Sequence, residues 1–329
     1  MTAAKSAMAL VGDFGGTNAR FALADVSGKR PVISQIREYP SKNFKSGGDA
    51  VHTYLTDVGV QPAVAVIAVA GPITDGAVHF TNIGWTFSED EILHLGFAKA
   101  QLLNDFEALA LSTQHIAPEK LKLLGETQKG QPNATVAVMG PGTGFGASAL
   151  VRARGHAIAL AAEAGHASFA PVDDVESQIL HFLAQKYGSH ISIERVLSGP
   201  GLQNLHEALS AIEGISCVVP QPNEITQGAL GGDVSCVRTV KRFCAILGSV
   251  AGNLALTYGA RGGLYIAGGI SPLILPILEQ SDFRARFEAK GRFTSYVAAI
   301  PTQVILDGYA AFLGTGDQAH RLAQQLAAS

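Results

Sequence analysis

Twice along the chain an apolar run breaks at a cluster of glycines and then resumes, a pattern that predicts strand, tight turn and returning strand. The first instance runs through residues 7–11, then Gly12-Asp13-Phe14-Gly15-Gly16-Thr17-Asn18, then residues 19–26 before Ser27-Gly28-Lys29. Residues 31–39 predict a third strand, residues 49–59 carry helical spacing at Val51, Tyr54, Leu55 and Val58, and residues 63–70 form an unbroken apolar run expected of a buried strand. The order is therefore β-β-β-α-β. A short helix is expected over 89–95, a short strand over 101–103, and a helix over 106–114 that begins just after Asn104-Asp105.

The second instance opens with a strand at 135–139 and the turn Gly140-Pro141-Gly142-Thr143-Gly144-Phe145-Gly146. Residues 148–151 and 157–160 alternate as two strands joined through Arg154-Gly155, leaving no room for an ordinary helix directly after the glycines. Longer helical patterns follow over 175–187, 201–212 and 236–258. A strand at 263–267 opens into Gly268-Gly269-Ile270, and a last strand at 301–306 precedes a C-terminal helix from Tyr309. The same supersecondary plan thus appears twice, and a helix ending at Ala117-Pro118 sets the expected lobe boundary near 115–120. One lobe is expected to comprise residues 1–115 with the returning segment 306–329, the other residues 116–305.

Composition narrows the class. A chain of 329 residues is long for one core and suits two lobes. With 47% hydrophobic and 16% charged residues and 37 glycines it reads as an α/β enzyme rich in tight turns. A formal net charge of -3 and the lack of any long Lys/Arg run argue against a nucleic-acid or membrane footprint, so a small polar ligand is the expected partner. No apolar run has the length of a signal peptide or a membrane span, so a cytoplasmic location is expected. Cys217, Cys236 and Cys244 are widely spaced with no C-x-x-C, and are expected to be small core residues.

Two glycine turns following strands offer two sets of backbone N–H groups that approach phosphate oxygens without an intervening Cβ. Asp13 in the first turn would repel phosphates unless a divalent cation lay between, which points to Mg2+ on a nucleotide, although Asp13 bonded to its own turn is the plainer alternative. The second turn has a rival reading. Gly142-x-Gly144-x-x-Ala147 with Glu163 downstream matches a dinucleotide fingerprint and would make the chain an NAD-dependent dehydrogenase, but the hairpin expected after the turn removes the helix that this fingerprint needs. Asn104-Asp105 at a strand-to-helix junction is either a helix cap or a carboxylate presented for catalysis. Glu163 and His166 stand equally open as surface residues, and Glu194 as a partner of Arg195.

These segments together resemble the bacterial glucokinase family, a branch of the sugar kinase, actin and heat-shock ATPase fold. The likeness runs over Gly12 to Arg20, Gly71-Pro72-Ile73, Thr81-Asn82 with Trp85, Leu103-Asn104-Asp105-Phe106, Gly140 to Gly146, Glu163 to His166, Glu194 to Gly201, and Ile266 to Ile270, in order through nearly the whole chain. It implies an α/β, two-lobed actin-like ATPase (ribonuclease H-like) fold of duplicated β-β-β-α-β-α units with an interlobe cleft. It further implies a glucokinase that moves the γ-phosphoryl group of ATP to the 6-hydroxyl of glucose. Gly12, Asp13, Gly15, Gly16, Thr17 and Asn18, together with Gly140, Gly142, Thr143 and Gly144, would hold the ATP phosphates, with Mg2+ at Asp13 and Gly268-Gly269 beside the adenosine. Asn104, Asp105, Glu163, His166 and Glu194 would ring the sugar, with Asp105 as general base, in a homodimer. Two positions depart from the family pattern: Ala164 where Gly is usual, and Pro141 where Ala is more common. The zinc-binding cysteine motif of the neighbouring repressor and kinase family is absent. A non-enzymatic sugar-sensing regulator of the same fold would need a DNA-binding helix pair, and with the first turn starting at Gly12 none is expected.

Overall fold

The computed structural model describes residues 8–15, 17–80, 84–126, 129–153 and 155–328. Gly16, Thr81, Asn82 and Arg154 lie outside the described residues, so the readings that involve them have no structural counterpart here. The fold is mixed α/β with several sheets, and the chain divides into two compact units. The first comprises residues 1–118, 157–161 and 307–329, the second residues 119–156 and 162–306.

In the first unit the chain forms β1 (Met8–Phe14), β2 (Asn18–Asp25), β3 (Val32–Pro40), α1 (Gly47–Val58), β4 (Val64–Val69), β5 (Ile73–Thr74), β6 (Ala77–Phe80), β7 (Trp85–Ser88), α2 (Glu89–Leu93), β8 (Lys99–Asn104) and α3 (Asp105–Ser112). Its main sheet has five strands in the order β3-β2-β1-β4-β8. β1 and β2 are antiparallel, whereas β4 and β8 run parallel to β1. That arrangement explains why β4 is apolar at every position: a parallel strand in the middle of a sheet is covered on both faces. β3, at the edge, is largely exposed. The helix α1 starts at an N-cap where Ser46 accepts from Asp49 N–H and stops at Gly59, whose φ of 66° only glycine adopts freely. Phe14, Phe21, Tyr54, Ile67 and Phe87 fill the core between this sheet and its covering elements. A three-stranded sheet, β5-β6-β7, was not expected from the sequence.

The second unit contains β9 (Leu121–Leu124), β10 (Val136–Pro141), β11 (Phe145–Ala153), α4 (Asp174–Tyr187), α5 (Gly199–Ile212), α6 (Pro222–Leu230), α7 (Val234–Tyr258), β13 (Gly263–Ile266), α8 (Ile270–Leu273), α9 (Leu275–Leu278), α10 (Phe283–Glu288), α11 (Thr294–Ala298) and β14 (Thr302–Ile305); β12 (His156–Leu160) is divided between the two groupings. Among strands lying wholly in this unit the order is β11-β10-β13-β14-β9. The 25-residue α7 is the central support, buried along most of its length and closed by Asp233 at its N-cap and Gly259 at its C-cap. Cys236 and Cys244 are buried on it as expected, whereas Cys217 is exposed, because it falls in an irregular segment between α5 and α6.

The last helix, α12 (Ala310–Ala328), belongs to the first unit and packs on α3. The crossing is close because Gly314 has no side chain; a Cβ there would sit 1.8 Å from the carbonyl oxygen of Ala108. His115 bonds Asp317 at 2.7 Å, and Arg321 bonds Asp317 at 2.8 Å, fixing the far end of α3. These contacts hold the helix that presents Asp105. Among the described residues no helix is long and apolar enough to cross a membrane.

Candidate active site

The first glycine turn is shorter than its sequence suggests. Gly12 and Asp13 lie inside β1, paired with Phe21 and Arg20, and the chain reverses only between Gly15 and Asn18. Gly12 is a packing residue: a Cβ would meet Ile67 Cγ2 at 3.0 Å and Phe21 Cδ1 at 3.1 Å. Asp13 is therefore not a turn residue but a strand residue at the mouth of the turn, its carboxylate 3.5 Å from Arg20 Nη1, with Arg20 in turn near Glu38 at 3.3 Å. Burial raises the Asp13 pKa, and Arg20 only partly offsets this. The turn closes through Gly15 N–H to the Asn18 carbonyl at 2.9 Å. Ser41, which no sequence pattern singles out, braces it from the side: its hydroxyl donates to the Gly15 carbonyl at 2.8 Å and its N–H to the Thr17 carbonyl at 2.8 Å.

Asn104 and Asp105 mark the passage from β8 into α3. Asn104 is the N-cap, its Oδ1 accepting from Phe106 N–H at 2.9 Å, and Glu107 returns the gesture by accepting from Asn104 N–H at 3.2 Å. Burial pushes the Glu107 carboxyl up, against that hydrogen bond. With the capping done by Asn104 and Glu107, Asp105 stands as the first helical residue, half-buried, where helix-end N–H groups favour a negative charge; its Oδ1 also accepts from Phe106 N–H at 2.9 Å.

In the second unit, Gly140 and Pro141 end β10 and the reversal occupies Gly142-Thr143-Gly144. Gly142 N–H donates to the Gly144 carbonyl at 2.8 Å, and the Gly142 carbonyl accepts from Gly199 N–H at 2.9 Å. Phe145 begins strand β11 at once, so no helix follows the Gly142-x-Gly144-x-x-Ala147 segment and the dinucleotide reading fails on geometry. Gly140 and Gly268 are glycines for close backbone approach: a Cβ on Gly140 would lie 2.4 Å from Ala267 O, and one on Gly268, whose φ is +82°, 2.3 Å from Pro141 O. Gly269 is open on its side-chain face and caps α8.

Three of the candidate sugar residues gather beside this second turn. The 3-10 turn Ala164–His166 lies against the start of β11, where Gly165 comes so near that a Cβ would sit 2.1 Å from the Phe145 carbonyl oxygen. Glu163 and His166 flank it and are exposed, while the Ala164 side chain packs toward the apolar core rather than outward. Glu194 is not paired with Arg195. Its Oε2 accepts from Phe145 N–H at 2.9 Å, and Arg195 stacks 4.1 Å from the centroid of the Tyr187 ring. Ser198, the N-cap of α5, donates to the Glu194 carbonyl at 2.7 Å and so fixes its backbone. The 163–169 loop is laced to this segment through Ile193 N–H to Ala167 O at 2.9 Å and Phe169 N–H to Ile191 O at 2.8 Å.

No group of three or more His, Cys, Asp or Glu side chains able to hold a metal ion occurs among the described residues. Asp13 offers a carboxylate beside the first candidate phosphate turn. It keeps 29% of its side-chain exposure, and burial raises its pKa more than the Arg20 guanidinium lowers it, so a further cation there would favour the charged carboxylate.

Comparison with known proteins converges on one group. The family model described as Glucokinase matches residues 10–322. The glucokinase of Caulobacter sp. (strain K31) is 48% identical over 309 residues, covering 93% of this chain and 93% of that protein. Among solved structures, a glucokinase from an Antarctic psychrotroph superposes with a TM-score of 0.87 at 38% identity, over 96% of this chain and 100% of that one. A ROK family glucokinase from Streptomyces griseus, solved in complex with glucose and AMPPNP, gives a TM-score of 0.65 over 95% of this chain and 99% of that one; at 19% identity it speaks to the fold alone.

Proposed function

The chain belongs to the glucokinase family and is an ATP-dependent kinase that phosphorylates glucose, and from that premise we propose how its residues divide the work. Asp105 is the general base that accepts the proton of the sugar 6-hydroxyl as that oxygen attacks the γ-phosphorus. The observation that carries this assignment is the local division of labour at α3. Asn104 and Glu107 form the capping box of the helix start, so the cap does not depend on the neighbouring carboxylate, although that carboxylate shares Phe106 N–H with Asn104. It stands on a rigid helix end rather than on a loop.

Phosphoryl transfer requires alignment and charge compensation more than covalent chemistry by side chains. The backbone amides of the two glycine turns supply part of both, orienting the phosphates. Gly15 and Gly142 spend their own N–H groups inside the turns, and in this reading the phosphate-facing donors are residues further round, Thr17 with Asn18 and Thr143 with Gly144. Gly12 and Gly140 contribute by letting the strands approach, and Gly268 and Gly269 flank the adenosine. Mg2+ would be held mainly by phosphate oxygens with Asp13 as its protein carboxylate, and would neutralise charge when bound. Asn104, Glu163, His166 and Glu194 bind sugar hydroxyls beside Asp105. A sugar lacking one of those hydroxyls leaves a polar group unpaired and is rejected for that reason. The repeated β-β-β-α-β-α unit, a cleft between the lobes, a cytoplasmic homodimer and a place in glycolysis belong to this proposal as well.

A coupled assay of ADP release over a panel of hexoses tests the assignment, with Asp105→Asn as the informative variant. Its turnover is expected to fall by about two to four orders of magnitude with glucose binding retained. Near-normal turnover in that variant refutes Asp105 as the base.

A further inference from the structure

We propose that Glu194 is a positioning residue for the nucleotide as well as a sugar ligand, using its two carboxylate oxygens for the two tasks. Phe145, which immediately follows the second glycine turn, is held through both of its backbone polar groups. Its N–H is taken by Glu194 Oε2 at 2.9 Å, and its carbonyl faces Gly165 in the Glu163 to His166 loop at a separation that leaves no room for a Cβ. Gly144 is part of the same fit. A Cβ there would lie 2.4 Å from Glu194 Oε2, so glycine at that position leaves the side-chain space to the carboxylate.

Glu194 is half-buried, its backbone is pinned by Ser198, and among the described residues Oε1 takes no hydrogen bond. A sugar hydroxyl donating to Oε1 would fix the carboxylate and, through Oε2, the amide at which the turn enters β11. Sugar occupancy thereby orders the phosphate turn, and by thermodynamic linkage the nucleotide returns the same coupling to the sugar. A charged brace this close to phosphates carries a cost, since like charges repel. A neutral side chain with the same acceptor would therefore hold nucleotide equally well or better.

The inference rests on the reading of Gly142 to Gly144 as a phosphate turn, and the experiment separates the two. Binding of AMPPNP with Mg2+ is measured by calorimetry on the whole protein without sugar. Failure of the unaltered protein to bind would count against the phosphate turn itself. Given binding, Glu194→Ala is expected to raise the AMPPNP Kd about tenfold, as the loss of one hydrogen bond to a charged group implies, while Glu194→Gln, which keeps an acceptor for Phe145 N–H, leaves it unchanged or lower. An unaltered Kd in Glu194→Ala with only glucose affinity lost overturns the inference, as does equal weakening in both variants. Hydrogen exchange on the unaltered protein gives an arm that needs no variant to fold: glucose alone should slow exchange at the Phe145 amide, and an unchanged rate overturns the coupling.

Discussion

The two glycine turns do similar geometric work with different braces. The first is held by Ser41, a fully buried neutral residue whose hydroxyl and amide both donate to turn carbonyls. The second is held by Glu194, a half-buried carboxylate that accepts from the amide following the turn and sits within the loop cluster of Glu163 and His166. A buried neutral brace gives the first turn a fixed form. A partly exposed charged brace leaves the second turn open to influence from whatever else the carboxylate binds. The strand glycines that lead into the turns differ in a parallel way: Gly12 is crowded by the side chains of Ile67 and Phe21, Gly140 by the backbone of Ala267.

That last contrast yields the largest expected effect. Gly140→Ala forces a Cβ to 2.4 Å from Ala267 O and 2.5 Å from its carbonyl carbon. Strand backbone in the middle of a sheet has little room to yield, so the loss should reach about 3 kcal/mol or more, the upper end of overpacking costs. Gly12→Ala meets side-chain atoms at 3.0 and 3.1 Å that can shift slightly, and should cost about 1 to 2 kcal/mol. Denaturant unfolding of the two variants beside the parent checks the order; equal losses would remove the distinction drawn between them.

Ser41→Ala sharpens the comparison at the brace itself. It deletes the hydroxyl donation to Gly15 but keeps the amide bond to Thr17, so a loss of about 1 kcal/mol is expected. Because Ser41 carries no charge and its bonds stay within its own turn, the effect on the KM for ATP should be the same at low and saturating glucose. A glucose-dependent effect would show that the first turn also answers to sugar.

The sequence exposed those parts of the molecule whose signal is local. Strand, glycine bend and returning strand were readable at both turns, because glycine clusters punctuate apolar runs. The cap at Asn104-Asp105 is equally local and readable from neighbours, whereas the part Glu107 plays in it becomes visible only in the structure. What escaped is encoded over distance or in pieces too short for periodicity. Ser41 reaches a residue 26 positions away and Glu194 one 49 positions away, and nothing adjacent to either announces the partner. The strands β5 to β7 have two to four residues each, below the length at which alternation becomes a pattern. The helix α6 has too few apolar positions to stand out by periodicity, and its start is marked only by Pro222 at its first position and the Gln221 and Glu224 capping pair. Asp13 reads as a turn residue because it lies among Gly12, Gly15 and Gly16, yet strand pairing with Arg20 continues through it.

Gly144→Ala is the mildest change and the one that isolates the charged brace. The clashing atom is Glu194 Oε2, the tip of a flexible side chain, at 2.4 Å from the new methyl. The carboxylate can swing away, Phe145 N–H then bonds to water at this half-exposed turn, and unfolding stability should fall by no more than about 1 kcal/mol. Nucleotide affinity should suffer more than stability does, by about the same tenfold expected of Glu194→Ala. Since both substitutions remove one hydrogen bond, the double variant Gly144→Ala with Glu194→Ala should bind AMPPNP no worse than either alone, a non-additivity that contacting residues in one network show. Fully additive losses would mean that Gly144 and Glu194 act on the nucleotide separately, and the second turn would then be as self-contained as the first.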